Sequence, residues 1–306
     1  MPSAKSAKSC KPDFLLVDNE VKSIAKSNEV LIMPSPEAWE SLDWTRPYFS
    51  GKPKNGYFIW VKKQVDFPLS TCVNIASPGI KQDLQNLMVV EKGIKARANV
   101  VCSSLKMNLS GTHKARGKLV LREEASLSYN HVHKWGTKDN VFPDYEFILE
   151  KNSSLDYNYL NLLPPEKLEI RNKIICGEKS SSNLAISVNG IDSEIRIKEE
   201  VVLEGKDSQA VSRLKMVGRK NSDIIAESSI IAKERAKGHI DCQSLMVDKG
   251  SKISSIPLLV SENKDARITH EASIGKVSEE QLNYLRARGL SEKQAIDLIV
   301  SGFLKS

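Results

Sequence analysis

Between about residue 68 and residue 272, apolar and polar positions alternate in short runs that turn signals keep interrupting. Lys118-Leu-Val-Leu-Arg122, Ala125-Ser-Leu-Ser-Tyr-Asn130, Tyr145-Glu-Phe-Ile-Leu-Glu150 and Leu184-Ala-Ile-Ser-Val-Asn189 each predict a strand by period-2 patterning or β-branched content. No helical period of comparable length follows residue 96 or so. The glycines set a rhythm: Gly177 to Gly205 is 28 residues (205 − 177), and Gly190 to Gly218 is again 28 (218 − 190). The polar turns after these glycines resemble one another, as in Gly177-Glu-Lys-Ser180 and Gly205-Lys-Asp-Ser208. Two interleaved turns per period of about 28 residues fit the coils of a β-solenoid. An antiparallel β-sandwich is the rival, with turn signals every 8–12 residues or so. The solenoid is favoured because the turns repeat in kind as well as spacing, and because Asn-Gly hairpin signals are rare.

The pattern differs at both ends. Residues 1–66 read as a mixed region: Asp18 to Ser27 could form a short helix, Pro34-Ser-Pro36 starts a helical turn, and Tyr57-Phe-Ile-Trp-Val-Lys62 predicts a first strand. Residues 67–275 form the β core. In residues 276–306, Ser278-Glu-Glu-Gln281 is a capping box ahead of one helix, Gly289 can end it, and Ser291-Glu-Lys-Gln294 caps a second. This helical hairpin would cover the end of the solenoid, dock a partner, or do both.

Composition narrows the function classes. With 40% hydrophobic residues among 306, the chain is globular in character. No run of about 18 apolar residues predicts a membrane span, and the lysine-containing N-terminus has no apolar signal-peptide region, so the cytosol is the expected compartment. The net charge of +7 is dispersed among acids, as in Glu194-Ile-Arg-Ile-Lys-Glu-Glu200, which favours a solvated surface over a nucleic-acid footprint. The five cysteines are far apart and contain no CxxC pair. Cys72, Cys102 and Cys176 lie in apolar runs and read as core residues. Cys10 lies in a lysine-rich tail, whereas Cys242 is flanked by polar residues.

Few motifs survive inspection. Gly111-Thr-His-Lys-Ala-Arg-Gly117-Lys-Leu119 has the wrong glycine spacing for a phosphate loop and a leucine where a magnesium-binding hydroxyl is needed. His131 and His133 form an H-x-H pair on one face of a predicted strand, which suits a metal, yet no third ligand is evident nearby, and an exposed or turn-proximal strand without metal is the favoured reading. Cys242, His270 and Glu271 make a stronger constellation. His270 and Glu271 follow Cys242 by 28 and 29 residues (270 − 242 and 271 − 242), one apparent coil. On adjacent strands about 4.8 Å apart the thiolate would then face His270 or Glu271, but not both. Such donors suit a soft metal, with the thiolate leading.

At this point the residues resemble a known family. Asp241-Cys-Gln-Ser-Leu-Met246, Pro257, Thr269-His-Glu-Ala-Ser-Ile-Gly-Lys276 with the residues on to Leu290, and Ala295-Ile-Asp-Leu-Ile-Val-Ser-Gly-Phe303 resemble the C-terminal signature of the SufB/SufD iron–sulfur cluster assembly family. His133-Lys-Trp135 looks like a looser family element upstream. The resemblance implies a right-handed parallel β-helix with C-terminal helices and dimerisation through the β-helix, as a homodimer or with a D-type paralogue. It also implies docking of a SufC-type ABC ATPase on those helices, and a non-enzymatic scaffold role for a transient iron–sulfur cluster. Cys242 and Glu271 match the B-type cysteine and glutamate, and His270 the histidine of both types. Thr269 stands where B-type members often carry another acid, and Glu150-Lys-Asn-Ser-Ser-Leu155 lacks the cysteine that some use to receive sulfur. A β-solenoid adaptor that organises the ATPase without a cluster is the alternative.

Overall fold

The computed structural model describes residues 12–305; Cys10 lies outside them. The chain enters through an antiparallel pair, β1 (Phe14–Val17) and β2 (Glu20–Ile24), then β3 (Val30–Pro34), helix α1 (Ser35–Ser41), a 3-10 turn (Asp43–Tyr48) and β4 (Tyr57–Val61). The helix expected over Asp18 to Ser27 is therefore a strand. Asp18 adopts a left-handed φ of 56° in the tight turn, and pairing of β2 with β1 outweighs local propensity. The helix started by Pro34 forms as expected.

Parallel coils follow: β5 (Leu69–Ile75), β6 (Lys81–Val90), β7 (Lys95–Ser104), β8 (Thr112–Leu121), β9 (Ser126–Lys134), β10 (Asn140–Leu149), β11 (Ser154–Leu163) and β12 (Lys167–Cys176). They continue with β13 (Ser181–Ile191), β14 (Glu194–Leu203), β15 (Gln209–Arg219), β16 (Asp223–Ala232), β17 (Lys237–Met246), β18 (Lys252–Ser261) and β19 (Arg267–Lys276). Odd-numbered strands from β5 to β19 stack in one sheet with β1 and β2, and even-numbered strands from β4 to β18 stack in the other with β3. This is a parallel β-solenoid of about 8 turns, as the turn rhythm predicts. Every second residue points between the sheets: in β12 these are Leu168, Ile170, Asn172, Ile174 and Cys176. Two-residue periodicity thus becomes one continuous core.

The corners explain the glycine rhythm. Glu124, Asn152, Lys179 and Asp207 sit at equivalent corners with left-handed φ between 55° and 63°. Their amides donate to the next coil, Glu124 to Lys151 O, Asn152 to Glu178 O and Lys179 to Lys206 O, so the ladder offsets the backbone strain. Gly190 and Gly218 are direct register partners, and Gly205 is packed so closely on the coil below that a Cβ would lie 2.0 Å from Glu178 N. Outside, charges pair between coils, as in Arg122–Glu150, Lys151–Glu178 and Arg235–Asp207, consistent with the dispersed charge reading.

Both C-terminal helices form, α2 (Glu279–Ala287) and α3 (Glu292–Lys305). The Ser278 hydroxyl accepts from Gln281 N, Ser291 and Gln294 exchange reciprocal bonds, and Gly289 at φ +90° ends α2. They do not cap the stack, however. Ala295 and Val300 are buried as α3 returns along the flank of the odd-numbered sheet. There Asp297 accepts from Arg219 at 2.9 Å, the Ser187 hydroxyl donates to Leu304 O at 3.3 Å, and Lys215 lies over the Phe303 ring. The last coil keeps an open edge: most of β19 is exposed. No helix among the described residues is long and apolar enough to cross a membrane.

Candidate functional site

The coil that carries the expected ligands is longer than the mid-chain rhythm. Cys242 on β17 pairs with Ala272 on β19, an offset of 30 (272 − 242), while His270 pairs with Ile240 and Glu271 with Asp241. The 28- or 29-residue stacking expected from the glycines is therefore corrected: offsets are 28 between β13 and β15 (209 − 181) and 30 here (267 − 237). Neither His270 nor Glu271 lies directly opposite Cys242. Parity now sorts them. Cys242 points inward, with Leu214 below it in register. His270 belongs to the same alternation as Ile268, which packs on the core, so it sits on the Cys242 side one diagonal away; Glu271 is on the other.

The two sides differ in environment. Cys242 is 1% exposed, and burial pushes its thiol up, an effect that the neighbouring Ser255 and Ser228 hydroxyls partly offset. His270 is exposed because nothing among the described residues lies beyond β19. On the outer face, His239 Nδ1 is 2.8 Å from Thr269 Oγ1 and His239 Nε2 is 3.7 Å from Glu271 Oε1. His239 escaped the sequence reading because Thr269 follows it by 30 residues (269 − 239), outside the 28-residue glycine rhythm. Within a single chain this arrangement offers one thiol and one imidazole on the inner side, and an imidazole with carboxylates on the outer side.

A second group lies deeper. His131 and His133, on β9, are fully buried instead of on an exposed or turn-proximal strand, because the inward face of β9 lies between both sheets. The third donor is Cys102 on β7, the register partner of His133, 31 residues earlier (133 − 102). The donor atoms of the three lie within 4.8 Å of one another. Cys102 Sγ is 3.5 Å from His131 Nε2, which is 2.9 Å from His133 Nε2, and the Tyr159 hydroxyl lies 2.8 Å from His133 Nδ1. Burial pushes His113 and His131 down to about 3 and His133 further, so all three imidazoles are neutral. The same burial pushes the Cys102 thiol up. Of the other cysteines read as core, Cys176 is buried, whereas Cys72 faces outward and is half-buried.

Between the two sites runs an inward column on the even-numbered sheet. Tyr145, Asn172, Glu199 and Ser228 are successive register partners. Asn172 Nδ2 and Oδ1, Glu199 Oε2 and the Ser244 hydroxyl have no hydrogen-bond partner among the described residues. Each such atom costs about 1–3 kcal/mol. Burial pushes the Glu199 carboxyl up to about 7.

Comparison with known proteins bears on these residues. The profile for the SUF system FeS cluster assembly SufBD core domain matches residues 74–303. An iron–sulfur cluster assembly SufBD family protein of Archaeoglobus fulgidus is 30% identical over 95% of this chain and 84% of its own length. Others from Methanothermobacter thermautotrophicus and Pyrococcus horikoshii are 28% and 29% identical over 81% and 82% of this chain. The chain spans only 62% and 57% of their lengths.

Proposed function

From membership of the SufBD family of iron–sulfur cluster assembly proteins, to which this chain belongs, we propose that it is a cytosolic scaffold that holds a nascent cluster transiently. The cluster is cargo, not a resident cofactor. The observation that carries the reading is the uncovered last coil, which presents His270 one diagonal from the Cys242 thiol beneath it. Cys242 supplies the thiolate, and His270 and Glu271 supply harder donors from the two sides of the terminal strand.

One thiolate per chain holds a cluster weakly, so the site is completed by a second copy or a D-type paralogue set against the open edge. Weak ligation suits a cluster that must leave. Loading requires Cys242 to lose its proton and meet its cargo, which its burial opposes; displacement of the terminal coil removes that barrier. The chain performs no reaction of its own. An ABC-type ATPase docked on the C-terminal helices supplies the work. In support of that surface, α2 buries none of its residues, and Tyr284 and Leu298 are 60% and 53% exposed.

Anaerobic reconstitution with iron and sulfide, with and without the ATPase, tests the reading. Thiolate-to-iron absorbance is expected from the native chain, with most of it lost in Cys242→Ala. Equal loading of the variant rejects the site. The burial of Cys242 favours a second reading, an adaptor that organises the ATPase without a cluster. In that case Cys242 alkylates as slowly as Cys176 even when the ATPase turns over.

A further inference from the structure

The buried Cys102–His131–His133 group is separate from the terminal coil and plays no part in the scaffold reading. We propose that these three side chains form a three-coordinate site for a single soft cation, Cu(I), enclosed within the solenoid.

The donor set is the first argument. One thiolate and two imidazoles form a soft-to-borderline set that selects copper or zinc over magnesium or calcium. His131 and His133 turn inward together because they are two apart on β9, and the parallel register brings Cys102 beside His133 from β7. Two consequences of sheet geometry, alternation and register, thus converge on one point.

Hydrogen bonding is the second argument. His131 Nε2 faces both Cys102 Sγ and His133 Nε2, while His131 Nδ1 has no partner among the described residues. If the Tyr159 hydroxyl donates to His133 Nδ1, His133 Nε2 must donate to His131 Nε2, which places the His131 proton on Nδ1. In that tautomer the single lone pair of His131 Nε2 serves two donors, His133 Nε2 at 2.9 Å and the Cys102 thiol at 3.5 Å. A cation between the two Nε2 atoms satisfies both lone pairs at once. The His133 Nδ1 proton then points at the Tyr159 oxygen, the arrangement by which an outer residue orients a ligating histidine.

Charge and coordination number select the ion. The cysteine gives up its proton on binding, S–H being replaced by S–metal with release of one proton. The resulting thiolate cancels the charge of Cu(I), which leaves a neutral group in a site where Cys102, His131 and His133 are 2%, 0% and 0% exposed. Zn(II) would leave one uncompensated positive charge in the core, and it prefers four ligands where three converge. Metal–nitrogen bonds of about 2.0–2.1 Å and a metal–sulfur bond of about 2.3 Å require the nitrogens to part by roughly half an ångström and keep the Cys102–His131 spacing nearly as it is.

The enclosed position means that the ion enters as the chain folds. The full chain is therefore unfolded with a chelator and refolded anaerobically with Cu(I) or Zn(II) supplied singly. After desalting, bound metal is counted and the first shell is read by X-ray absorption. The expected result is one copper per chain with one sulfur and two nitrogens, and a raised melting temperature. Cys102→Ser and His133→Gln lose the copper; Tyr159→Phe keeps it with about 10–100-fold weaker affinity in competition with a copper chelator. Cys242→Ser retains the full count, so failure here is distinguishable from failure of the scaffold reading. Absence of bound metal in the native chain, zinc retained in place of copper, or an unchanged copper count in folded Cys102→Ser would each overturn the assignment. Should Cys102→Ser not refold, a native first shell without sulfur overturns it equally.

Discussion

Glu199 offers a quantitative test of the polar column. Its carboxyl is buried within the even-numbered sheet, with Oε2 unpaired among the described residues, and is lifted by burial from an ordinary 4.5 to about 7. A group with a raised folded pKa favours folding below its unfolded value and loses that benefit as pH rises through the folded one. Holding Glu199 ionised therefore costs the folded state about 3 kcal/mol above pH 7 and nothing below about pH 4.5. Glu199→Gln keeps the shape and removes the charge. With an unfolding entropy of about 2.1 cal/mol/K per residue, the whole chain shifts by ~5 °C for this energy. Melting temperatures of native chain and variant are thus expected to differ little at pH 4.5 and by ~5 °C, in favour of the variant, at pH 8. Other titrating groups are common to both proteins and largely cancel in the difference. A gap of the same size at both pH values would refute the reasoning, since it would assign the effect to packing and not to charge.

Two further outcomes follow from the interior and the corners. His113 is buried neutral with its folded pKa depressed from 6.5 to about 3; its contribution is complete above about pH 6.5 and is lost as pH falls toward 3. The stability gap between the native chain and His113→Gln should therefore change by about 2 kcal/mol between pH 7 and pH 5, measured by denaturant unfolding at each pH. At the corners, Gly205→Ala places a Cβ 2.0 Å from Glu178 N and 2.2 Å from Gly177 C, an overpacking worth about 1–3 kcal/mol. In contrast, Gly302→Ala in α3 meets no atom within 4 Å and gains about 1 kcal/mol of helix propensity. Opposite shifts in thermal unfolding check the pair.

Much of this architecture was legible because it depends on local chemistry. Alternation marked the strands, repeated polar turns distinguished solenoid from sandwich, and Ser278 and Ser291 announced the two helices. What escaped was set by the length of individual coils. The 28-residue glycine rhythm holds where Gly190 pairs with Gly218, but the offset is 31 between β7 and β9 and 30 between β17 and β19. No glycine pair marks those longer coils, so Cys102 could not be placed beside His133, nor Ala272 opposite Cys242. The β1–β2 turn was misread for a related reason, since its strands are held by a neighbour far along the chain: Leu15 pairs with Cys72. Docking of α3 on the flank rests on Arg219, Ser187 and Lys215, whose common surface exists only after the coils have stacked.

The bare edge of β19 has a thermodynamic meaning beyond its exposure. In a stack where each layer touches only its neighbours, an interior layer is held from two sides and a terminal one from a single side. The free energy needed to peel a layer away is therefore lowest at the end, and hydrogen exchange there should be the fastest in the β core. His270 and Glu271 ride on that most easily peeled layer, and Cys242 is the thiol that its departure uncovers. The solenoid thus converts one-sided support into a hinge without a hinge sequence, and a partner that adds one more layer would close it.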